Sequence, residues 1–229
     1  MIRKISSTQF LEYQICPLYY YYKYIKNFNK ISFDTKDEAK KGEEIHKIID
    51  FYSKGINLPE EYINSDPHIK KVFDFYVEKH HKTGENVKNE FEFNLPFFIN
   101  EEKYFLVGRI DRIILEKDKA TIIDWKTGEK FSKASNIKNF LQLDFYAYVV
   151  SEYFGIKDIE LKIAYLSAEK DFSRKINSEK LKNIQKSIQD MILNTKIERK
   201  HYTPAPIDID KDIPFCKICN FSDFCTDFI

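Results

Sequence analysis

Two strands joined by a tight turn are predicted by the sequence YFLVGRIDRIILE at residues 104–116, KDK at 117–119 and ATIIDWK at 120–126. Apolar runs of this length, separated by a charged turn, are typical of a β-hairpin. Side chains alternate along a strand, so Asp124 and Lys126 project from the same face. The short turn can bring Asp111 of the first strand beside Asp124. The hairpin therefore predicts two carboxylates and one lysine at a single point.

This cluster of two carboxylates and a lysine is costly if it is buried without a counter-charge. A divalent cation would resolve the conflict, and hard oxygen ligands suit Mg²⁺ or Mn²⁺. Such a metal polarises a phosphate and activates a water for in-line attack. Lys126 would orient that water or help to deprotonate it, and would stabilise negative charge in the transition state. From the residues alone, an ordinary hairpin with polar side chains near its end remains the alternative.

Helical and strand periodicities surround the hairpin. We predict helices at 9–14, 18–25, 38–53, 67–83, 135–153 and 180–195, and further strands at 87–94 and 159–166. Segments 27–37 and 56–66 and the tail from Tyr202 onward are predicted loops. Ser6-Ser7-Thr8 is a predicted N-cap signal for the first helix, and Pro17 opens the second. The pattern predicts an α/β (α+β) fold.

The bulk composition sets limits on the class of protein. The chain has 229 residues and is 43% hydrophobic, which suits one domain with a substantial core. We expect a single domain over 1–229, with a helical N-terminal part (1–84), a core (85–170) and a helix with a C-terminal tail (171–229). The net charge of +1 does not by itself argue for nucleic-acid binding. No apolar run is long enough to span a membrane, so we expect a soluble, cytoplasmic protein with no membrane partner.

The four cysteines form a pattern typical of a metal site. Three of them, Cys216, Cys219 and Cys225, lie within ten residues in the spacing C-x2-C-x5-C, and Cys16 lies far upstream. Thiols of an intracellular protein more often bind metal than form disulfides. Four thiolates suit either Zn²⁺ or a 4Fe–4S cluster, and the residues alone favour zinc as the commoner structural metal.

Two further motifs lie in predicted helices. Gly42 and His46 form a G-x-x-x-H pattern, and Gln142 and Tyr146 form a Q-x-x-x-Y pattern. Residues four apart share one face of a helix, so Gln142 and Tyr146 can point at the same site. A histidine offers an imidazole, which would bias a metal site toward Mn²⁺. The alternatives are a structural histidine and a helix face that only packs on the sheet. Glu90 or Glu92, on the strand before the hairpin, could offer another carboxylate, but we leave both outside the predicted site.

In their order along the chain, these motifs resemble those of the RecB-like nucleases, a branch of the PD-(D/E)XK superfamily. The resemblance runs from about Ser6 to Cys225. It implies a restriction-endonuclease-like core, in which a mixed central sheet is flanked by helices. It also implies that a Mg²⁺ or Mn²⁺ ion is held by His46, Asp111, Asp124 and the backbone carbonyl of Trp125. Lys126 is then the catalytic lysine, and Gln142 and Tyr146 hold DNA near the metal.

The cysteines extend the resemblance to members of this branch that carry an iron–sulfur cluster. Those members have one cysteine in a C-P-x-x-Y segment before the nuclease motifs, as Cys16 is here, and three after them. The resemblance therefore favours a structural 4Fe–4S cluster over Zn²⁺. The size is similar to that of stand-alone CRISPR-associated exonucleases, which trim DNA for spacer acquisition together with other adaptation proteins. A repair or viral exonuclease and a non-catalytic iron–sulfur DNA-binding module remain alternatives. The sequence does not decide the oligomeric state.

Overall fold

The structure is a computed structural model that describes residues 3–28, 36–64, 66–128, 133–195, 202, 216, 219–222 and 225. The strands are β1 (Lys4–Ser6), β2 (Val87–Ile99), β3 (Glu102–Leu115), β4 (Lys119–Lys126), β5 (Asp158–Tyr165) and β6 (Lys170–Ile176). The helices are α1 (Ser7–Ile15), α2 (Pro17–Tyr20), α3 (Lys36–Ser53), α4 (Glu60–Asn64), α5 (Pro67–Lys79), α6 (Lys133–Phe154) and α7 (Ser178–Asn194). A π-helical turn at Tyr21–Ile25 continues α2.

Within these described ranges the six strands form one mixed sheet, in the order β1-β3-β4-β5-β6, with β2 paired to β3. The pairs β2–β3, β3–β4 and β5–β6 are antiparallel, whereas β1–β3 and β4–β5 are parallel. This arrangement confirms the predicted α/β class with a mixed central sheet flanked by helices.

Strand β3 organises the sheet because two strands share one of its edges. Its first half pairs with β1 as far as Val107, and its second half pairs with β4 from Arg112 onward. Residues 108–111, whose sequence Gly-Arg-Ile-Asp has the pattern G-x-x-D, lie between these two pairings. The edge of β3 therefore opens at Asp111.

Helices cover both faces of the sheet and create two cores. Ile113, Ile122 and Leu161 belong to the larger core, which is filled by side chains of α1, α2, α6 and α7. The neighbouring strand residues Ile114, Ile123 and Trp125 point to the opposite face, where side chains of α3 and α5 form the second core. Along each half of β3 the alternation of side chains separates the two cores, and it shifts by one residue between Ile110 and Ile113, which both belong to the larger core.

Most predicted elements are confirmed. Ser6 caps α1 in a reciprocal capping box with Gln9, and Pro17 is the first residue of α2. Gly55 follows α3 with a φ of +72°, in the left-handed region that favours glycine. The predicted hairpin at 104–126 is the antiparallel pair β3–β4.

Several details differ from the prediction. The expected loop at 56–66 contains the short helix α4, and α5 ends at Lys79 rather than at Thr83. Strands β1 and β6 were not predicted. The first has only three residues, and the second is a largely exposed edge strand without an apolar pattern. Most of the predicted loop at 27–37 and of the tail after Tyr202 lies outside the described residues, although Lys36 already belongs to α3.

No helix of the described chain is long and apolar enough to cross a membrane.

Candidate metal-dependent active site

Asp111 lies at the opening in the edge of β3. Its Oδ2 accepts a hydrogen bond of 2.8 Å from the backbone amide of Trp125, which ties it to the end of β4. Arg112 pairs with Ile123, so Asp111 stands one step further along, level with Asp124. On the other side, the ladder between β2 and β3 skips Asp111. The carboxylate is thus held at a point where β3 lacks regular pairing with both β2 and β4.

The break on the β2 side comes from Glu90, which has a φ of +47°. This left-handed conformation is rare for a residue with a side chain. It brings the Glu90 carboxylate into the site, where Arg109 Nε lies 2.8 Å from its Oε2. Glu92, two residues later, is exposed. Glu90 was outside the predicted site, and the structure adds it.

His46 approaches these carboxylates from α3. Its Nδ1 lies 3.7 Å from Oδ1 of Asp111 and 3.9 Å from Oε1 of Glu90. The potential ligand atoms of these three residues all lie within 4.8 Å of one another, and among the described residues no other such group of histidine, cysteine or acidic side chains occurs. The predicted convergence of His46 with the hairpin is therefore present.

The glycine of the G-x-x-x-H motif has a packing reason. A Cβ at Gly42 would lie 3.0 Å from the hydroxyl oxygen of Thr127, which directly follows Lys126 in the chain. Contacts this short are rare for real Cβ atoms, so a larger residue here would require the Thr127 side chain or α3 to shift. His46 is one turn further along the same helix and is carried into the site by this close approach.

Asp124 and Lys126 stand at the end of β4 as the alternation predicts. Lys126 Nζ lies 2.7 Å from Oδ2 of Asp124, and their side chains are 28% and 7% exposed. Trp125, between them, points the other way and is buried in the second core. Parallel pairing with β5 continues to Lys126, so the strand remains supported on that side.

Gln142 and Tyr146 share one face of α6, as predicted. The Tyr146 hydroxyl accepts hydrogen bonds of 3.0 Å from Nε2 of Gln142 and from Oγ of Ser7, the first residue of α1. Tyr146 is only 5% exposed, and the charges of Asp124 and Lys126 act on it. Its hydroxyl therefore lies inside the site rather than on an open surface.

The carboxylates strongly influence one another. Burial and the charge of Asp124 raise the pKa of Asp111 to about 7, although His46, the Trp125 amide and Lys126 oppose this. The excess of negative charge is therefore not fully neutralised by the protein's own cations, which is the condition that a bound cation relieves.

The same carboxylates raise the pKa values of Lys126 and His46. Burial lowers the pKa of Lys126, but the charge and hydrogen bond of Asp124 and the charge of Asp111 outweigh it and raise the pKa above its ordinary value. Burial likewise lowers the pKa of His46, and the interactions with Glu90, Asp111 and Asp124 raise it overall.

The donor set fits a divalent metal. Carboxylate oxygens suit Mg²⁺ and Mn²⁺, and a single imidazole adds preference for Mn²⁺. His46, Glu90 and Asp111 already have ligand atoms grouped closely enough for one ion. Asp124 and the backbone of Trp125 lie next to Asp111, through the 2.8 Å hydrogen bond of the Trp125 amide.

The cysteines come from both ends of the chain, and three of the four contact the larger core. Cys16 is buried at the N-cap of α2, and its Sγ accepts from the amide of Tyr19. The ring of Phe221 packs on Tyr19 with centroids 5.1 Å apart. Cys219 and Cys225 both pack against the larger core, to which Cys16 belongs, whereas Cys216 is exposed. The described residues 219–222 therefore pack, through Phe221, on the helix that Cys16 begins.

Comparison with known proteins assigns the family. A model described as "PD-(D/E)XK nuclease superfamily" matches residues 4–226, nearly the whole chain. No curated protein matches the chain. One similar solved structure, described as "Crystal structure of SSO0001", has 18% identity and a TM-score of 0.49, with 99% of this chain and 87% of that chain covered. The family match is independent of the geometry, which places two aspartates and a lysine at the end of a hairpin. The chain belongs to the PD-(D/E)XK nuclease superfamily of metal-dependent nucleases.

Proposed function

We propose that the protein is a RecB-like DNA exonuclease that acts on single-stranded DNA or on DNA ends with Mg²⁺ or Mn²⁺. The observation that carries the proposal is the meeting of His46, Asp111, Asp124 and Lys126 at the opening beside β3. These residues come from three separate elements, which a chance hairpin with polar ends would not bring together.

In this proposal His46, Asp111, Asp124 and the backbone carbonyl of Trp125 hold the metal. Glu90 joins them because its Oε1 lies 3.9 Å from Nδ1 of His46. When bound, the metal supplies Lewis-acid polarisation of the phosphate and lowers the pKa of water.

The remaining chemistry belongs to the chain itself. Lys126 is a protonated ammonium beside Asp124 and stabilises the negative charge that develops on the phosphate. Gln142 and Tyr146 line the adjacent wall, where the amide and hydroxyl groups orient the DNA backbone. Arg109, which is 58% exposed and pairs with Glu90, offers a further positive charge at the rim.

The test is cleavage of end-labelled single-stranded DNA with Mn²⁺ or Mg²⁺, beside an EDTA control. Lys126→Ala should abolish metal-dependent cleavage. Lys162→Ala is the matched control, because Lys162 lies on the adjacent strand β5, is similarly exposed at 30%, and faces an aspartate at 3.7 Å. If wild type cuts nothing, the protein is instead a non-catalytic DNA-binding module. If Lys126→Ala cuts as well as wild type, the proposed catalytic site is wrong.

We further propose that Cys16, Cys216, Cys219 and Cys225 bind a structural 4Fe–4S cluster rather than Zn²⁺. Support comes from the packing of the C-terminal segment on the helix of Cys16, since a cluster there would staple the two ends of the chain. Cys219→Ala should give a colourless, less stable protein, and Ser222→Ala, in the same segment, should keep its iron. Full iron content in Cys219→Ala, or zinc in place of iron in wild type, would refute the assignment.

The biological setting we propose is trimming of DNA during CRISPR spacer acquisition, together with adaptation proteins. Support comes from the cysteine pattern. A repair or viral exonuclease is the alternative. Cleavage assays on DNA with single-stranded overhangs, with and without an adaptation integrase, separate the two settings. Integrase-dependent trimming to a fixed length supports the CRISPR role, and unrestricted digestion contradicts it.

A further inference from the structure

Arg112 is a charged residue buried at the back of the candidate site. It directly follows Asp111 in β3, points to the opposite face of the sheet and is 0% exposed. Burying a guanidinium costs several kcal/mol unless its donors are satisfied. Packing in the core does not explain why a charged side chain, rather than an apolar one, is buried at this position.

The guanidinium is satisfied entirely by neutral groups. Its Nε donates to Oδ1 of Asn89 at 2.7 Å, and one terminal nitrogen donates to the carbonyl of His80. The other terminal nitrogen donates to Oγ of Ser53 at 3.0 Å and to the hydroxyl of Tyr76. None of its hydrogen-bond partners within the described chain is a carboxylate.

Aromatic rings complete the surroundings. The guanidinium carbon lies 5.3 Å from the ring centroid of Tyr76 and 5.2 Å from that of Trp125. A cation over aromatic faces gains roughly 2 kcal/mol or more when it is desolvated. Arg112 thus contacts Trp125 directly, from the side opposite to Asp111.

The partners of Arg112 lie next to the residues of the site. Ser53 is the last residue of α3, which carries His46. Asn89 precedes Glu90, and Trp125 stands between Asp124 and Lys126. On β2 and β4 the direct neighbours of site residues, Asn89 and Trp125, contact the guanidinium. On α3 its partner Ser53 lies seven residues beyond His46.

We propose that Arg112 is a positioning residue that fixes α3, β2 and β4 relative to β3 and thereby sets the spacing of the metal ligands. A planar group with five donors can hold several elements at once, which an ammonium group cannot. A buried ion can often be replaced by an apolar residue of similar volume without loss of stability. The role assigned to the guanidinium is therefore to set geometry rather than to add stability. This inference rests on the proposed metal site.

The experiment measures Mn²⁺ affinity without DNA, from the loss of the free-ion electron paramagnetic resonance signal, together with stability in urea. The variants are Arg112→Met, which keeps the volume, and Arg112→Lys, which keeps the charge. Ile188→Ala is the control, since Ile188 is 0% exposed in α7, away from the site. Arg112→Met should bind Mn²⁺ at least tenfold more weakly, and Arg112→Lys should not restore the affinity. Ile188→Ala should lose stability but keep wild-type affinity.

Wild-type affinity in folded Arg112→Met overturns the proposal, as does a loss of affinity in Ile188→Ala in proportion to its loss of stability. If Arg112→Met does not fold, Asn89→Ala decides, because it removes a single partner. It should weaken Mn²⁺ binding severalfold, and unchanged affinity refutes the role. If wild type binds Mn²⁺ but leaves DNA uncut, only the proposed function is contradicted. The Mn²⁺ affinities of wild type and the Arg112 variants still test the positioning role of Arg112.

Discussion

Replacing Asp111 by asparagine should stabilise the metal-free protein at pH 8. Burial and the charge of Asp124 raise the pKa of Asp111 from 3.8 to about 7. A carboxyl whose pKa is raised by folding costs nothing below the unfolded pKa near 4, where it is protonated in both states. Its penalty grows as pH rises and is complete above the folded pKa, near 7. Each pKa unit corresponds to about 1.4 kcal/mol, so the ionised group lowers the free energy of unfolding by up to about 4 kcal/mol.

Asparagine keeps an oxygen that can accept from the amide of Trp125, so the local structure is retained while the charge is lost. Urea unfolding at pH 8 and pH 5, after removal of divalent ions, measures the effect. Trp125 is the single tryptophan of the chain and is buried beside the site, which makes its fluorescence a direct probe. Asp74→Asn, which breaks the exposed ion pair with Lys70, is the control and should change little at either pH.

Metal binding should shift the stability difference between wild type and Asp111→Asn in the opposite direction. Mn²⁺ at a hundred times its dissociation constant should add about 2.7 kcal/mol to the stability of wild type at pH 8. Asp111→Asn should gain little, because it has lost a charged ligand. The reasoning is refuted if Asp111→Asn is less stable than wild type at pH 8 without metal, or if the difference between the two proteins is the same at pH 5.

Two glycine substitutions test the close approaches around the site. In Gly108→Ala the new Cβ would lie 2.8 Å from the ring of Phe93, which is itself buried, so we expect a loss of about 1–3 kcal/mol in urea unfolding. Stability equal to wild type would contradict this. In Gly42→Ala the Cβ would meet the Thr127 hydroxyl at 3.0 Å, and the resulting shift of α3 should weaken Mn²⁺ binding through His46 with little change in stability. Gly42→Ala combined with Thr127→Ala should restore the affinity, and no restoration would show that the contact is unimportant.

Much of the site could be predicted because its residues obey simple periodicities. Asp124 and Lys126 follow the two-residue period of a strand, and Gln142 and Tyr146 follow the four-residue period of a helix face. Such spacings survive in any regular element. Where the backbone is irregular, the sequence does not show which of two similar residues enters the site.

Glu90 is the clearest example of this limit. By strand alternation Glu90 and Glu92 are equivalent, and nothing in the sequence selects one of them. The left-handed conformation at Glu90 breaks the period, so one carboxylate enters the site and the other remains exposed. Arg112 escaped prediction for a related reason, because its partners come from elements that are distant in sequence and meet only in the folded chain.

The G-x-x-D motif itself gains a topological meaning from the sheet. An unpaired strand edge is ordinarily a liability, because its backbone groups invite pairing with another strand. Here β1 ends at Ser6 and the chain turns directly into α1, while β4 pairs only from Arg112 onward. The gap between them is filled by side chains: Asp111 binds the Trp125 amide, and Ser7 at the start of α1 binds Tyr146. Because β1 ends at Ser6, residues 108–111 of β3 stay unpaired on this edge, where the candidate metal ligands converge.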